Sequence, residues 1–274
     1  MNLENTIIFT IARMNPPTPG HLYLIENMID LAIKENVNQI NIILSATVDS
    51  EKNPIECEEK RQLLYNYVLE TAKKNSIQKY PNDENKINNL NFEIICMNDE
   101  IDTEFSSTNP VIGKLKYILY KLYGYPRPDL KVILVIGEDR KNDYLFLKQP
   151  INNFDKSNLY PINFELFVVE RPDDAISATK IRGYATSRDE KDEEQFLYNM
   201  NKVGIQNNEA NELLGQIRTN ISIPNTQITK KMRRQGGKKK LRNGKKTYNL
   251  KKYKIKKYNT YKNKIKSKKM NKNK

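Results

Sequence analysis

The stretch ARMNPPTPGHLYLIE, residues 12–26, holds His21, the single histidine of a 274-residue chain. Pro16, Pro17 and Pro19 stiffen it by fixing φ, and Gly20 lets backbone come close to a ligand. Leu22, Ile25, Ile29 and Ile33 begin a helical stripe directly behind it. A helix start presents unpaired amides and the positive end of the helix dipole, a ready anion site. Thr18 and His21 can both donate hydrogen bonds to such an anion. A second stretch, ISATKIRGYA at 176–185, repeats the chemistry. Ser177 and Thr179 suit the capping of a helix start, and their hydroxyls and the first-turn amides suit phosphate oxygens. Lys180 and Arg182 add charge, the arginine with a fork that can grip phosphate bidentately.

Both stretches follow apolar, β-branched runs. NTIIFTIA (5–12), QINIILS (39–45), FEIICM (92–97), KVILVIG (131–137) and FELFVVE (164–170) read as strands, several apolar throughout. Helical spacing covers 21–34 and 56–74, the latter with acids in its first turn. A third helix at 109–124 closes at Gly124, with Pro126 and Pro128 blocking continuation. The Asn-rich segment 75–91 reads as a surface excursion, and 207–220 as one more helix. Alternating strands and helices predict an α/β, Rossmann-like, doubly wound parallel sheet of five strands, covered on both faces with right-handed crossovers. In such a sheet ligands bind beyond the carboxyl ends of the strands, where residues 13–20 and 176–182 both fall. The organisation expected is a domain at 1–205, a helix and linker at 206–229, and a basic tail at 230–274.

NPPTPGH resembles the (H/T)xGH signature of the class I nucleotidylyltransferase superfamily, which includes nicotinamide-mononucleotide and phosphopantetheine adenylyltransferases and the CTP-dependent cytidylyltransferases. Members often carry Gly-Arg-Phe-Asn-Pro-Pro ahead of the histidine. Here Ala12-Arg13-Met14-Asn15-Pro16-Pro17 stands there, departing at Ala12 and Met14, with Thr18 where many members have a first histidine. ISATKIR resembles the superfamily's ISSTxIR, with Ala178 in place of one serine. SEKNPIECEEKR after strand two is similar to a KNPL-then-basic element, which points Lys52 or Arg61 at phosphates. VIGEDR is similar to a turn near base and ribose, which brings in Gly137 with Glu138 or Asp139.

The resemblance covers roughly residues 5–190. It implies transfer of a nucleoside monophosphate, AMP from ATP ahead of CMP from CTP, to a phosphate-bearing small-molecule acceptor, with release of pyrophosphate. It implies catalytic roles for His21, Thr18 and Arg182. Nucleotide binding falls to Arg13, Asn15, Gly20, Gly137, Asp139, Ser177, Thr179 and Lys180, with further phosphate contacts from Lys52 or Arg61. Mg²⁺ would bridge phosphate oxygens and keep most of its waters, without a dedicated protein metal site or a covalent enzyme intermediate.

Charge is divided sharply. Residues 230–274 carry 22 of the 47 Lys and Arg and no acid, which leaves 25 basic residues against 33 acids in 1–229. The body is near −8, the tail +22, and the overall +14 describes neither. Tyrosines interleave with the tail's lysines, and the segment lacks the apolar content to order by itself. It suits nucleic acid, by counterion release and stacking, and an anionic membrane or an import receptor would also accept it. Lys/Asn-rich chains ending in a GGKKK-type tail also resemble proteins of large DNA viruses.

Cys57 and Cys96 are too few for a disulfide framework, so reduced thiols in an intracellular, soluble protein are expected. No signal peptide or membrane span is read. The competing reading is a nucleic-acid-binding protein whose nucleotidylyltransferase fold binds nucleotide without catalysis. A class I aminoacyl-tRNA synthetase fragment shares the GH-type loop, but KMRRQ at 231–235 lies in the tail and is discounted as that family's second motif.

Overall fold

A computed structural model describes residues 5–49, 52–97, 119, 130–145, 163–172 and 176–221. The helix expected at 109–124, Leu119 apart, lies outside them, as do the linker after Ile221 and the basic tail. The elements run β1 (Thr6–Ala12), α1 (Pro19–Lys34), β2 (Gln39–Leu44), α2 (Cys57–Leu63), a π-helical turn (Leu64–Val68), α3 (Leu69–Lys79), α4 (Glu84–Asn89), β3 (Asn91–Cys96), β4 (Lys131–Gly137), α5 (Lys141–Tyr144), β5 (Asn163–Val169), α6 (Ala178–Thr186), α7 (Glu190–Lys202) and α8 (Asn207–Ile221). All strands are parallel, in the order β3-β2-β1-β4-β5. The chain builds outward from β1 to β3, then restarts on the other side of β1 at β4. That reversal opens a crevice at the carboxyl ends of β1 and β4.

The apolar strands bury both faces. Ile8, Ile40, Ile42, Ile133 and Val135 join one core with α1, α3 and the helices that follow β5. Ile7, Phe9, Ile43, Val132, Leu134 and Ile136 join a second core on the opposite face with Leu119, Leu130 and Tyr144. The predicted five-stranded parallel architecture is therefore observed.

Three sequence expectations change. The Asn-rich 75–91 lies largely at the surface, as expected, but it is mostly helical and anchored: α3 continues to Lys79 because Ala72 and Ser76 face the core, and after a 3-10 turn at Pro81–Asp83, α4 places Ile87 there as well. The cysteines are joined rather than reduced, Cys57 to Cys96, with Cα atoms 5.8 Å apart. The β2–β3 register sets Cys96 beside Leu44 at the carboxyl edge, and α2 begins over that same edge. The body also continues past residue 205, since Ala210, Leu213, Leu214 and Ile217 of α8 lie in the first core. No helix among the described residues is long and apolar enough to cross a membrane.

Helix α7 was not read from the sequence, although its ends are well signalled. Asp189 caps it, accepting from the Lys191 amide at 2.9 Å. At its end Gly204 N–H donates to Asn201 O and Ile205 N–H to Met200 O, a Schellman closure. Gly204 has φ +86°, and a Cβ there would sit 2.1 Å from Thr71 Oγ1 and 3.0 Å from Tyr67 O. Gly204→Ala is expected to cost about 2 kcal/mol, read as a lower midpoint in urea unfolding; an unchanged midpoint would contradict this packing.

Candidate functional site

The carboxyl ends of the strands are level. Ala12 pairs with Leu44, Gly137 pairs with Val169, and the β1–β4 register that sets Phe9 beside Leu134 carries on to align Ala12 with Gly137. The segments leaving this rim enclose a cleft of about 680 Å³, within the range of small-molecule sites. Thr18, Gly20, His21, Ser177, Thr179 and Arg182 all line it. Two stretches some 160 residues apart in sequence thus face one cavity.

Loop 13–18 is held by burial. Met14 is fully buried and has φ 45°, a left-handed conformation that a non-glycine side chain adopts at a cost. Asn15 follows, through a cis bond to Pro16, and is also fully buried. Its Nδ2 donates to Ile55 O at 2.9 Å, and its Oδ1 accepts from Ile55 N–H at 3.1 Å. Its own carbonyl accepts from Arg182 Nη1 at 2.7 Å. Asn15 therefore joins the loop after β1, the loop after β2 and helix α6. Its side chain, expected on the nucleotide, holds Ile55 at the edge of the cleft that Asn15 also lines.

Thr18 caps α1, and His21 stands three residues on. Thr18 N–H donates to His21 Nδ1 at 3.1 Å, and the Thr18 hydroxyl lies 2.9 Å from the same nitrogen. Thr18, expected to share an anion with His21, lines the same cleft and also orients the imidazole. With Nδ1 accepting, the proton of the neutral ring belongs on Nε2. Burial, and then the Arg171 guanidinium, lower the His21 pKa to about 4, against the opposing pull of Asp139. At neutral pH His21 is an uncharged donor.

In the second stretch Ser177 Oγ accepts from Lys180 N–H at 3.2 Å and caps α6. Arg182 Nη2 donates to Thr179 Oγ1 at 3.2 Å. With Nη1 on Asn15, Arg182 braces the site first, and its remaining N–H groups are left for a ligand. Ala178 and Thr179 occupy the first turn of α6, where amides have no helical carbonyl to meet.

The other expected residues divide by helix phase. Arg13, Lys52, Gly137 and Asp139 line the cleft. A Cβ at Gly137 would sit 2.8 Å from Asp139 Oδ1, so a larger residue there would displace that carboxylate. Lys180 points out of the cleft, over the Tyr184 ring at 5.8 Å. Arg61 also lies outside the lining, 2.6 Å from Glu58. One position earlier, Lys60 is the side chain that α2 turns inward: it is fully buried and donates to Ser45 O at 2.7 Å. Burial lowers its pKa to about 8.

Arg140, Tyr144 and Arg171 also line the cleft and were not singled out from sequence. Their signal was position, just past β4 and β5. The lining carries Arg13, Lys52, Arg140, Arg171 and Arg182 against Asp49, Asp139 and Glu170. A cationic excess stands here in a body whose net charge is negative.

No protein-family model matches the chain, and no curated protein sequence matches it.

Two outcomes follow. The single imidazole gives an unambiguous NMR signal, expected to titrate with a midpoint near pH 4. Because this value lies below the ordinary 6.5, stability is full above pH 6.5 and declines as pH falls from there toward 4; a midpoint at 6.5 would contradict the site. Asn15→Ala leaves the Ile55 N–H and C=O without partners and is expected to cost about 2–3 kcal/mol in chemical unfolding, against no loss if the clamp is idle.

Proposed function

We propose that the protein is a nucleotidylyltransferase, transferring a nucleoside monophosphate, AMP from ATP in the first instance, to a phosphate-bearing small molecule. The observation that supports this most is the sharing of one cleft by His21, the α1 start, the α6 start and Arg182, linked by the Arg182–Asn15 hydrogen bond. The resemblance of NPPTPGH and ISATKIR to the two signatures of the class I superfamily agrees with it.

In this reading an acceptor phosphate oxygen attacks the α-phosphorus. A bond forms from that oxygen to Pα, and the bond from Pα to the bridging oxygen breaks. Pyrophosphate departs with the electron pair. An ionised acceptor phosphate needs no base, so the protein's work is in-line placement and the neutralisation of charge. His21 Nε2–H donates to a non-bridging α-oxygen, and Thr18 fixes the ring that does so. The Gly20 amide in the first turn of α1 adds a donor near the same oxygens. The first turn of α6, with Thr179 and the spare N–H groups of Arg182, receives the β- and γ-phosphates, and Lys52 approaches from the loop after β2.

Mg²⁺ fits this donor set. It takes one or two carboxylates and completes its shell with phosphates and water, and of the three carboxylates lining the cleft, Asp49, Asp139 and Glu170, Asp139 is the one that acts on His21 and would help to hold it. When bound, the ion would add neutralisation of the polyphosphate charge.

The test is a matrix of ATP, CTP, GTP and UTP against nicotinamide mononucleotide, phosphopantetheine, glycerol phosphate and sugar phosphates, read by pyrophosphate release. One productive pair is expected. His21→Ala should lower its turnover about a hundredfold or more while the circular-dichroism spectrum is unchanged. ATP binding without pyrophosphate release for any pair would leave a nucleotide-binding module instead, and wild-type turnover in His21→Ala would remove His21 from the chemistry.

A further inference from the structure

Arg171 lies outside both motif stretches. β5 ends at Val169, level with Gly137 of β4. Asp139 and Arg171 each stand two residues past that pair, so both leave the sheet on the same rim. Both line the cleft with His21, and the charge of each acts on the His21 imidazole, in opposite senses. Asp139 and Arg171 are both exposed, with the Asp139 carboxylate close to Gly137. Arg182, the arginine of the second motif, already spends two donors on Asn15 and Thr179, and Arg140 Nε lies 2.7 Å from Asp143.

Resting on the proposed nucleotidyl transfer, we propose that Arg171 is a further catalytic residue, whose guanidinium binds the same phosphate group that His21 Nε2–H contacts. The two donors differ in kind. The imidazole is uncharged and aimed by Thr18, so it supplies direction. The guanidinium is permanently charged and planar, so it supplies the neutralisation that a neutral histidine cannot. Placed together, they let one α-phosphate be held both as the ground-state monoanion and as charge accumulates on its oxygens. The charge of Arg171 also adds to burial, the larger cause, in keeping the ring unprotonated as a single donor. The groups bearing on this pair are Arg171, Asp139 and the Thr18 hydroxyl, with Glu170 and Arg13 also on the rim.

The experiment follows the His21 Cε1–H resonance of the full chain during titration with Mg²⁺–ATP, and in parallel with Mg²⁺–tripolyphosphate, for wild type, Arg171→Ala and Arg171→Lys. Arg171 is exposed, so both variants should fold; thermal unfolding checks this. The expected result is an apparent Kd at least tenfold weaker for Arg171→Ala, partly recovered in Arg171→Lys, with both ligands. In the ligand-free protein the His21 midpoint should move to higher pH in Arg171→Ala and return in Arg171→Lys, a change that a merely structural residue would not produce. Arg171→Ala binding ATP as wild type does would overturn the assignment and leave the proposed reaction standing. A wild-type His21 signal that responds to neither ligand would overturn both.

Discussion

The buried side chain of Asn15 is the constraint on which the site depends. Its amide exchanges two hydrogen bonds with the backbone of Ile55, and the main-chain carbonyl of the same residue accepts from the Arg182 guanidinium. Three segments leaving the sheet at β1, β2 and β5 are thereby fixed to one another at a single fully buried residue. The strand register levels the rim and the first core packs α1 and α6 on one face of the sheet, while Asn15 supplies the polar tie between the two loops that precede them. Buried amides with satisfied partners are costly to disturb, so the geometry is carried by the fold before any ligand arrives.

A second consequence is a division of labour between residues that touch a ligand and residues that aim them. The Thr18 amide donates to His21 Nδ1, which assigns the tautomer, and the Thr18 hydroxyl packs beside the same nitrogen. Ser177 spends its oxygen on the Lys180 amide, which starts α6. Arg182 braces two loops. The cleft then offers Lys52, Arg13, Arg140 and Arg171 with His21 and the two helix starts, set against the carboxylates of Asp49, Asp139 and Glu170. Such a surface favours a polyanion with oxygens spread over several ångströms rather than a single small anion, and it accumulates on a body that is otherwise acidic.

Much of this was legible in the sequence, for physical reasons that can be named. Strands buried on both faces must be apolar throughout, so KVILVIG and QINIIL announced themselves. Helix starts need a cap, so Ser177 and Thr179 were read as capping residues, and Ser177 is the one that caps α6. What stayed hidden depended on partners distant in the chain. Asn15 reads as a ligand-binding amide until Ile55 is placed beside it. Lys60 and Arg61 differ by about 100° of helix phase, and only packing decides which turns inward. The cysteines pair because β3 and α2 end and begin over one edge, which spacing alone does not reveal. The helices of segment 75–91 were missed because its polar residues outnumber the few, Ser76 and Ile87 among them, that fix it to the core.

The central claim is that both loops hold one triphosphate. The most direct measurement is a crystal structure with Mg²⁺ and an α,β-non-hydrolysable nucleoside triphosphate. The α-phosphate is predicted against His21 Nε2, with the β- and γ-phosphates on the first turn of α6 beside Thr179. A triphosphate bound elsewhere, or one touching only one of the two helix starts, would contradict the account.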